Sequence, residues 1–392
     1  MGYDVAMKNP HSRLLKLTLL LIASLTVLSG ATIATSLPGI ASHFAHEEGA
    51  QMLSRLILTA PALTIALIAP FAGLLIHRFG RLRPVYAGLV VYAIAGTSGL
   101  IAETLMGLIW GRIGLGIATA VMMTAGTVLV GDYFSHEARQ KFLGLQGGFI
   151  ALGGVVFMTA GGFLSDIHWR APFAVYAASL LLIPLVFWKL YEPRHASAEP
   201  EVPELEAAKP KIWPVFATAF LTMTVFYIVP TQFPFVVIDY MGGTGKEAGF
   251  AMSMVPLFAA IGSISYHRVR KRLSVGQIYT IVFLMLGVGL GIVGLAEALW
   301  QTFAPLILAG FGLGLSLANT QVWFLERAPA AKRAKLAGFF TASLFLGQFC
   351  SPLFVQPFLS FLELHYVFSL FGATLLAAGF ALLIGLRMRR AV

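Results

Sequence analysis

Long runs of apolar residues dominate the chain, and short polar segments separate them. A helix needs about 20 mainly apolar residues to cross the hydrocarbon core of a bilayer. Inside the runs, as at residues 19–22 and 225–229, apolar residues lack the two-residue alternation of a membrane β-barrel. The pattern therefore predicts twelve membrane-spanning helices, at residues 15–37, 53–76, 84–102, 105–130, 142–165, 171–190, 212–236, 247–266, 275–296, 301–325, 335–359 and 364–386.

The composition supports an all-α membrane protein. Hydrophobic residues make up 58% of the chain and charged residues 11%, whereas soluble domains have roughly 45–50% and about 25%. Spanning segments in a bilayer must bond their backbone groups internally, and helices do so. Cys350 is the single cysteine, so a disulfide framework is excluded.

Basic residues lie mainly in alternate segments between the predicted spans. Of the 27 lysines and arginines, 23 lie in one set of segments and three in the other, while Arg112 lies within a span. Positive loops mark the cytoplasmic side of a membrane. We therefore expect a multi-pass protein of the inner (plasma) membrane with both termini in the cytoplasm. This asymmetry explains the net charge of +10 without a nucleic-acid partner. Membrane lipid is the expected partner of the spans.

A polar segment near mid-chain divides the spans into two sets of six. Residues 192–211 are rich in glutamate and proline, which is typical of a solvated linker. We predict an N-terminal six-helix bundle at 1–191, a cytoplasmic linker at 192–211 and a C-terminal six-helix bundle at 212–392. Three motifs recur at offsets of 190, 198 and 194 residues, which indicates two pseudo-symmetric halves: His77-Arg78 with His267-Arg268, Arg112–Gly116 with Gly310–Gly314, and Lys141–Gly144 with Lys335–Gly338.

Two motifs resemble signatures of the major facilitator superfamily. The loop Gly73-Leu-Leu-Ile-His-Arg-Phe-Gly-Arg81 resembles the family's Gly-x-Leu-Ala-Asp-Arg-x-Gly-Arg-Lys, and Arg112-Ile-Gly-Leu-Gly-Ile-Ala118 resembles its fourth-helix motif, Arg-x-x-Gln-Gly-x-Gly-Ala. The resemblance covers the whole chain and is closest to twelve-helix branches similar to drug:proton antiporters. It implies a gate at the cytoplasmic loops, formed by His77, Arg78, Gly80, Arg81, His267 and Arg268.

The chain departs from these motifs at three places. His77 replaces the acid of the family's loop, and Leu115 replaces the glutamine of its fourth-helix motif. In the fifth span, Phe157 and Met158 stand where antiporters usually have Gly-Pro, a motif that the eleventh span keeps better. The small residues and the proline that remain are expected to let helices pack closely while the halves rock; they are Gly153, Gly161, Gly162, Gly347 and Pro352.

Arg112 is the main candidate for polar chemistry inside the membrane. A charge within a span costs at least about 2.5–3.5 kcal/mol on insertion scales. Arg112 could face a cavity and hold an anionic group, or it could clamp the helices by bonding backbone carbonyls. All 17 acidic residues lie in loops, termini, the linker or span ends. We expect two of them, Asp132 and Glu326, to pair with arginines of the loops.

The seventh span contains Pro230 and Pro234, which break helical hydrogen bonding. Broken helices in transporters tend to lie at binding sites, although a bent packing helix is the alternative. We predict that Tyr227 and Gln232 contact the solute. Further candidates for solute contact are Arg112, Asn319, Gln321 and Thr32.

No phosphate-binding loop, zinc-protease helix or Gly-x-Ser-x-Gly motif occurs in the sequence. We therefore expect no enzyme, no cofactor and no metal site. The hypothesis is a monomeric secondary transporter for proton-coupled efflux of a small amphipathic or anionic organic molecule, by alternating access. A siderophore exporter, and an organic-anion importer, uniporter or exchanger without proton coupling, stay open as alternatives.

Overall fold

The computed structural model describes residues 12–193, 212–329 and 332–391, and these residues form helices and connecting loops without a β-strand. Eleven helical segments of this described part are long and apolar enough to cross a membrane. They are Arg13–His43, Ala50–Phe79, Leu105–Tyr133, Glu137–Ile167, Ala171–Lys189, Trp213–Tyr240, Gly245–Arg270, Val275–Val293, Trp300–Arg327, Lys335–Ser360 and Leu364–Met388.

The predicted third span, 84–102, is the one without a counterpart among these eleven. It folds as helix α4, Leu82–Thr97, which has 16 residues and continues into the 3-10 turn Ser98–Leu100. Its apolar helix is thus shorter than the roughly 20 residues that a perpendicular crossing needs. The predicted count of twelve spans depends on this short helix together with its 3-10 turn.

Most spans are single helices. In chain order these are α3 (Ala50–Phe79), α5 (Leu105–Tyr133), α6 (His136–Ile167), α10 (Gly245–Arg270), α11 (Val275–Val293), α12 (Trp300–Arg327) and α14 (Leu364–Ala391). The sixth span is a 3-10 segment, Ala171–Leu181, followed by α7, Leu182–Lys189. The eleventh is α13, Arg333–Val355, followed by the 3-10 turn Gln356–Ser360.

The first and seventh spans are both interrupted. The first is α1 (Arg13–Ala31), a 3-10 turn (Ala34–Ser36) and α2 (Leu37–His43). The seventh is α8 (Trp213–Phe226), α9 (Ile228–Phe235) and a π-helical turn (Val236–Tyr240). Pro230 has no N–H to donate to the carbonyl of Phe226 four residues earlier, so α8 ends there. The interruption that the prolines predict is confirmed.

Extensive contacts within each half of the chain hold the helices together. Before residue 193, α5 packs against α3 and α4, and α1 packs against α6. After residue 212, α12 packs against α10 and α11, α11 against α14, and α8 against α13. Two further pairs, α6 with α10 and α3 with α13, join the first half to the second. The predicted boundaries at 191 and 212 stay predictions, and residues 194–211 of the predicted linker lie outside the described residues.

The internal repeat of the sequence reappears in the packing of glycines on carbonyl groups. A Cβ at Gly116 on α5 would lie 2.7 Å from the carbonyl oxygen of Pro61 on α3. A Cβ at Gly314 on α12 would collide with the carbonyl oxygen of Ala259 on α10. Both members of the second pair lie 198 positions after those of the first. The α3/α5 and α10/α12 contacts are therefore equivalent, and each depends on a residue without a side chain.

The glycines expected to pack helices closely differ in their surroundings. A Cβ at Gly161 would collide with the carbonyl of Thr32, one at Gly162 with that of Gly245, and one at Gly347 with that of Phe220. Gly153 has more room, because the nearest atom to its Cβ would be Cε2 of Phe157 at 3.4 Å, an ordinary van der Waals distance. Pro352 lies inside α13, as predicted from the motif.

The two ends of the helix array differ in charge. The end at which α3, α5, α10 and α12 finish carries His77, Arg78, Arg268, Arg270 and Arg327, and we call it the basic end. The opposite end is the one at which α2 and α6 finish and α3 and α10 begin.

Candidate functional site

The Arg112 side chain is buried on α5, with 1% of its surface exposed. Its Nε donates to the carbonyl of Ile57 on α3 at 3.2 Å, and its Nη1 donates to the hydroxyl of Tyr176 at 2.9 Å. Its Nη2 donates to the carbonyl of Ser29 on α1. The guanidinium carbon lies 5.2 Å from the centroid of the Tyr176 ring. One side chain thus ties α1, α3 and the sixth span to α5.

Both carbonyls that Arg112 contacts lack an ordinary helical partner. The Ile57 carbonyl would accept from the residue four positions later, but that residue is Pro61, which has no N–H. Ser29 lies in the last turn of α1, where carbonyl groups have no partner within the helix. Arg112 therefore satisfies two acceptors that the local backbone leaves free.

The internal repeat allows the contact of Arg112 to be compared with the equivalent position in the second half. Arg112 corresponds to Gly310 at an offset of 198, and Ile57 corresponds to Val255 at the same offset. A Cβ at Gly310 would lie 2.6 Å from the Val255 carbonyl, so the second half packs backbone against backbone here. The first half instead places a guanidinium against the equivalent carbonyl. The clamp alternative accounts for these contacts, while direct contact of Arg112 with a solute stays a prediction.

Tyr227, at the break between α8 and α9, lies close to this clamp. Its hydroxyl is 3.7 Å from the position that a Cβ of Gly30 would take, and Gly30 follows Ser29. The Tyr227 ring also packs against Phe226, with the ring centroids 5.7 Å apart. The structure thus brings Arg112 and Tyr227, two predicted site residues from different halves, to the same segment of α1.

Gln232 is fully buried on α9, and both polar atoms of its amide lack a hydrogen-bond partner. Thr35 and Ser36, in the 3-10 turn that contacts α9, also have buried hydroxyls without a partner. An unpaired buried polar group costs about 1–3 kcal/mol. These unpaired polar groups lie on both sides of the contact between α9 and the first span.

The other predicted solute contacts are Thr32, Asn319 and Gln321. Thr32 is buried and donates to the Leu28 carbonyl at 3.3 Å. Asn319 accepts from the Tyr266 hydroxyl at 3.2 Å and donates to the Val275 carbonyl at 3.1 Å, toward the basic end. Gln321 is exposed. The structure therefore does not bring Asn319 or Gln321 next to Arg112, and their solute contact stays a prediction.

The loop between α3 and α4 is organised around Arg81. Its Nε donates to the Asp132 carboxylate at 3.1 Å. The Glu192 carboxylate accepts the backbone N–H groups of Arg81 at 2.7 Å and of Leu82 at 2.9 Å, which caps α4 at its N-terminus. A negative charge is favoured there by the helix dipole. Gly80 has a φ of 81°, a conformation that favours glycine, and a Cβ there would lie 2.9 Å from Glu192.

Position 77 holds a histidine in place of the acid of the family's loop motif, and two acids from other segments contact this loop, Asp132 at the end of α5 and Glu192 just after α7. In the second half, Arg270 donates to Glu326 at 3.1 Å. The expected pairing of the acids at the ends of α5 and α12 with loop arginines is confirmed. The remaining predicted gate side chains, His77, Arg78, His267 and Arg268, are exposed at the basic end.

Sequence reasoning missed Tyr176 and Glu192. A tyrosine inside an apolar span was one available signal, because a buried hydroxyl needs a hydrogen-bond partner. Glu192 was assigned to the linker, and nothing in the local pattern distinguishes a capping carboxylate from a solvated one.

Comparison with known proteins places this architecture in a family. The model of the Major Facilitator Superfamily matches residues 19–301 and 215–391. The chain is 29% identical over 159 residues to multidrug resistance protein 1 of Bacillus subtilis (strain 168), covering 41% of this chain and 40% of that protein. The match thus spans less than half the length of that relative.

Two other relatives differ in what their names describe. The class C tetracycline resistance protein of Escherichia coli is 28% identical over 338 residues, covering 81% of this chain and 83% of that protein. The arabinose-proton symporter of Escherichia coli (strain K12) is 29% identical over 176 residues, covering 43% of this chain and 37% of that protein.

The fold is shared with solved transporters. A bacterial homologue of the human lysosomal transporter Spinster superposes with a TM-score of 0.72 at 18% identity, covering 94% of both chains. The match to the family model across both halves and the agreement in fold confirm the resemblance drawn from the loop and fourth-helix motifs. The chain belongs to the Major Facilitator Superfamily of membrane transporters.

Proposed function

We propose that this protein is a secondary transporter that exports a small amphipathic organic molecule in exchange for protons. Two six-helix bundles, 1–191 and 212–392, would rock about a site between them and expose it to each side in turn. The basic end would face the cytoplasm of the inner membrane, since positive residues favour that side.

The observation that carries the proposal is the meeting of both interrupted spans at the contact between the halves. Tyr227 at the α8/α9 break reaches the end of α1, and the unpaired amide of Gln232 lies one turn further along α9. Broken helices expose backbone and side-chain polar groups at membrane depth, where transporters bind solutes. Aromatic and thioether groups nearby, Phe226 and Met223, would suit the apolar part of an amphipathic solute.

Export is supported by the two relatives named for multidrug and tetracycline resistance. The relative named as a proton symporter belongs to the same superfamily, so the direction of coupling needs its own measurement. Asp132 and Glu326 already pair with arginines, which leaves exposed acids and histidines near the span ends as proton carriers.

An organic-anion uniporter or exchanger is the second candidate, and the charge of Arg112 inside a span favours it. In this conformation, however, the guanidinium nitrogens donate to Ile57, Ser29 and Tyr176. An anion would have to displace these acceptors, and a buried guanidinium already satisfied by three of them gains little from the exchange.

The test uses purified protein in liposomes that contain a pH-sensitive dye. A proton gradient is imposed, and lipophilic cations, organic anions and carboxylate siderophores are added in turn. Protein-dependent proton movement with lipophilic cations is expected. Exchange of a labelled anion without any proton movement would overturn the proposal and favour the uniporter or exchanger.

A further inference from the structure

Arg55 on α3 reaches from the first half to the second at the end opposite the basic end. Only 2% of its surface is exposed, and its guanidinium carbon lies 4.6 Å from the centroid of the Phe235 ring at the end of α9. Asp239, on the following π-helical turn, is close enough to interact electrostatically with it. A cation over an aromatic face and near a carboxylate holds α3 against α9.

The hydrogen bonds of Arg55 are incomplete in this structure. Its Nη1 donates to the Gln51 carbonyl at 3.3 Å, while its Nε is buried without a partner. Arg55 also borders an open cavity of about 650 Å³, lined by residues of both halves including Phe235, Asp239 and His365. Because this cavity is open, movement of α9 away from α3 would expose the guanidinium of Arg55 to water.

Asp166 makes a second charged contact between the halves at this end. Its carboxylate accepts the N–H groups of Gly245 at 2.6 Å and of Lys246 at 3.0 Å, the first two residues of α10. Thr244 and Glu247 satisfy the other donors of this helix start through a capping box. The N-terminus of α10 is thus completed by an acid at the end of α6, in the other half.

The two contacts differ from the ion pairs of the basic end. Among the described residues, the pairs Arg81–Asp132 and Arg270–Glu326 each lie within one half. Arg55 instead contacts the Phe235 ring of the other half, and Asp166 accepts hydrogen bonds from the other half, beside the close approach of Gly162 to Gly245.

We propose that Arg55 and Asp166 are the gating residues of the outer side, which hold the halves together while the solute site faces the cytoplasm. This inference rests on the proposed alternating access. Opening of this end breaks the Arg55–Phe235 and Asp166–α10 contacts together and exposes the buried surface of α9 and of the 3-10 turn Ala34–Ser36. Both charged groups regain water in the open state, so the closure is reversible.

The test measures access to this buried surface and requires no substrate. In a Cys350→Ser background, Ser36→Cys places a thiol where a hydroxyl is 1% exposed and unpaired. The purified protein in detergent is labelled with a charged, water-soluble maleimide, so that membrane orientation does not affect the rate. Asp166→Ala removes a helix cap, which predicts labelling about fivefold faster. Arg55→Leu predicts an increase of at least about threefold.

Two control variants separate gating from general loosening. Arg170→Leu removes a cation at the same end that contacts Trp169 and Ala102 within the first half. Glu297→Gln removes an exposed acid there. Neither should change the labelling rate, and Phe235→Leu, which keeps apolar bulk, should reproduce Arg55→Leu if that variant misfolds.

The gate would be overturned if the labelling rate stayed unchanged in Asp166→Ala and also in Arg55→Leu. If Arg55→Leu misfolds, Phe235→Leu takes its place in this comparison. Equal acceleration by the controls would overturn it as well. Since labelling does not depend on transport, a failure of the proposed function would appear separately, as an absence of solute flux in the unmodified protein.

Discussion

Replacement of Arg112 by leucine tests whether this residue clamps the first half together. The variant leaves the buried carbonyl of Ile57 without a donor, because Pro61 has no N–H that could replace the guanidinium there. The carbonyl of Ser29 loses the guanidinium but keeps the Tyr176 hydroxyl, which donates to it at 3.2 Å. A buried acceptor without a partner costs about 1–3 kcal/mol and a lost hydrogen bond about 1 kcal/mol, so we expect a loss of roughly 2–4 kcal/mol in packing free energy. The insertion cost of the charge applies to packed and separated helices alike and largely cancels.

The assay is thermal unfolding of the purified protein in detergent, followed by the amount that stays monodisperse. A chain of this length unfolds with an entropy of about 0.8 kcal/mol/K, so this loss predicts an apparent midpoint about 2–5 °C lower for Arg112→Leu. Tyr176→Phe removes one partner of the guanidinium and should cost about 1 kcal/mol. The effects of the two changes should not be additive in the double variant, because the two side chains bond each other and share the Ser29 carbonyl as an acceptor.

Arg112→Lys separates the clamp from a simple requirement for charge. Lysine keeps the charge but has a single nitrogen, which cannot reach two carbonyls and a hydroxyl in the arrangement of the guanidinium fork. We expect the lysine variant to unfold nearly as early as the leucine variant. An unfolding midpoint within 1 °C of the unmodified protein for both variants would refute the clamp.

Three further predictions follow from individual contacts. Glu192→Gln should weaken the cap of α4 by about 1 kcal/mol, seen as faster hydrogen exchange at the Leu82 amide; unchanged exchange would contradict the capping role. Gly161→Ala should abolish or strongly reduce transport because its Cβ collides with a carbonyl, while Gly153→Ala should be tolerated; equal activity of the two variants would contradict the packing argument. Gln232→Leu should raise the unfolding midpoint by removing two unpaired buried polar atoms and should lower transport, and a lower midpoint would show that the amide has a partner.

The spans were predictable because bilayer thickness and backbone hydrogen bonding leave few alternatives to apolar helices of a set length. The break of the seventh span was predictable as well, because Pro230 has no N–H for a helical hydrogen bond. The short α4 was harder to bound, since its apolar run continues into a 3-10 turn that composition alone does not reveal.

The partners of the charged residues were only partly predictable. Arg112 was recognised as a buried charge, and a clamp on backbone carbonyls was one of two open interpretations. Which carbonyls it binds depends on the packing of α1 and α3 on α5, which no local pattern specifies. Arg55 lies near the start of the second span, a position that in sequence fits either an anchor at the headgroups or the mouth of an outer cavity. Its contact with Phe235 joins residues 180 positions apart, so only the fold reveals it.

The most direct test of alternating access measures distances between the halves at both ends of the same molecule. In a Cys350→Ser background, one sample carries spin-labelled cysteines at positions 77 and 267, at the basic end. A second sample carries them at positions 103 and 297, at the opposite end. The native residues at all four positions are exposed. On addition of the solute identified in liposomes, the account predicts that one distance lengthens while the other shortens. Distances that stay fixed, or that change in the same direction at both ends, would contradict a transporter whose halves rock about a site between them.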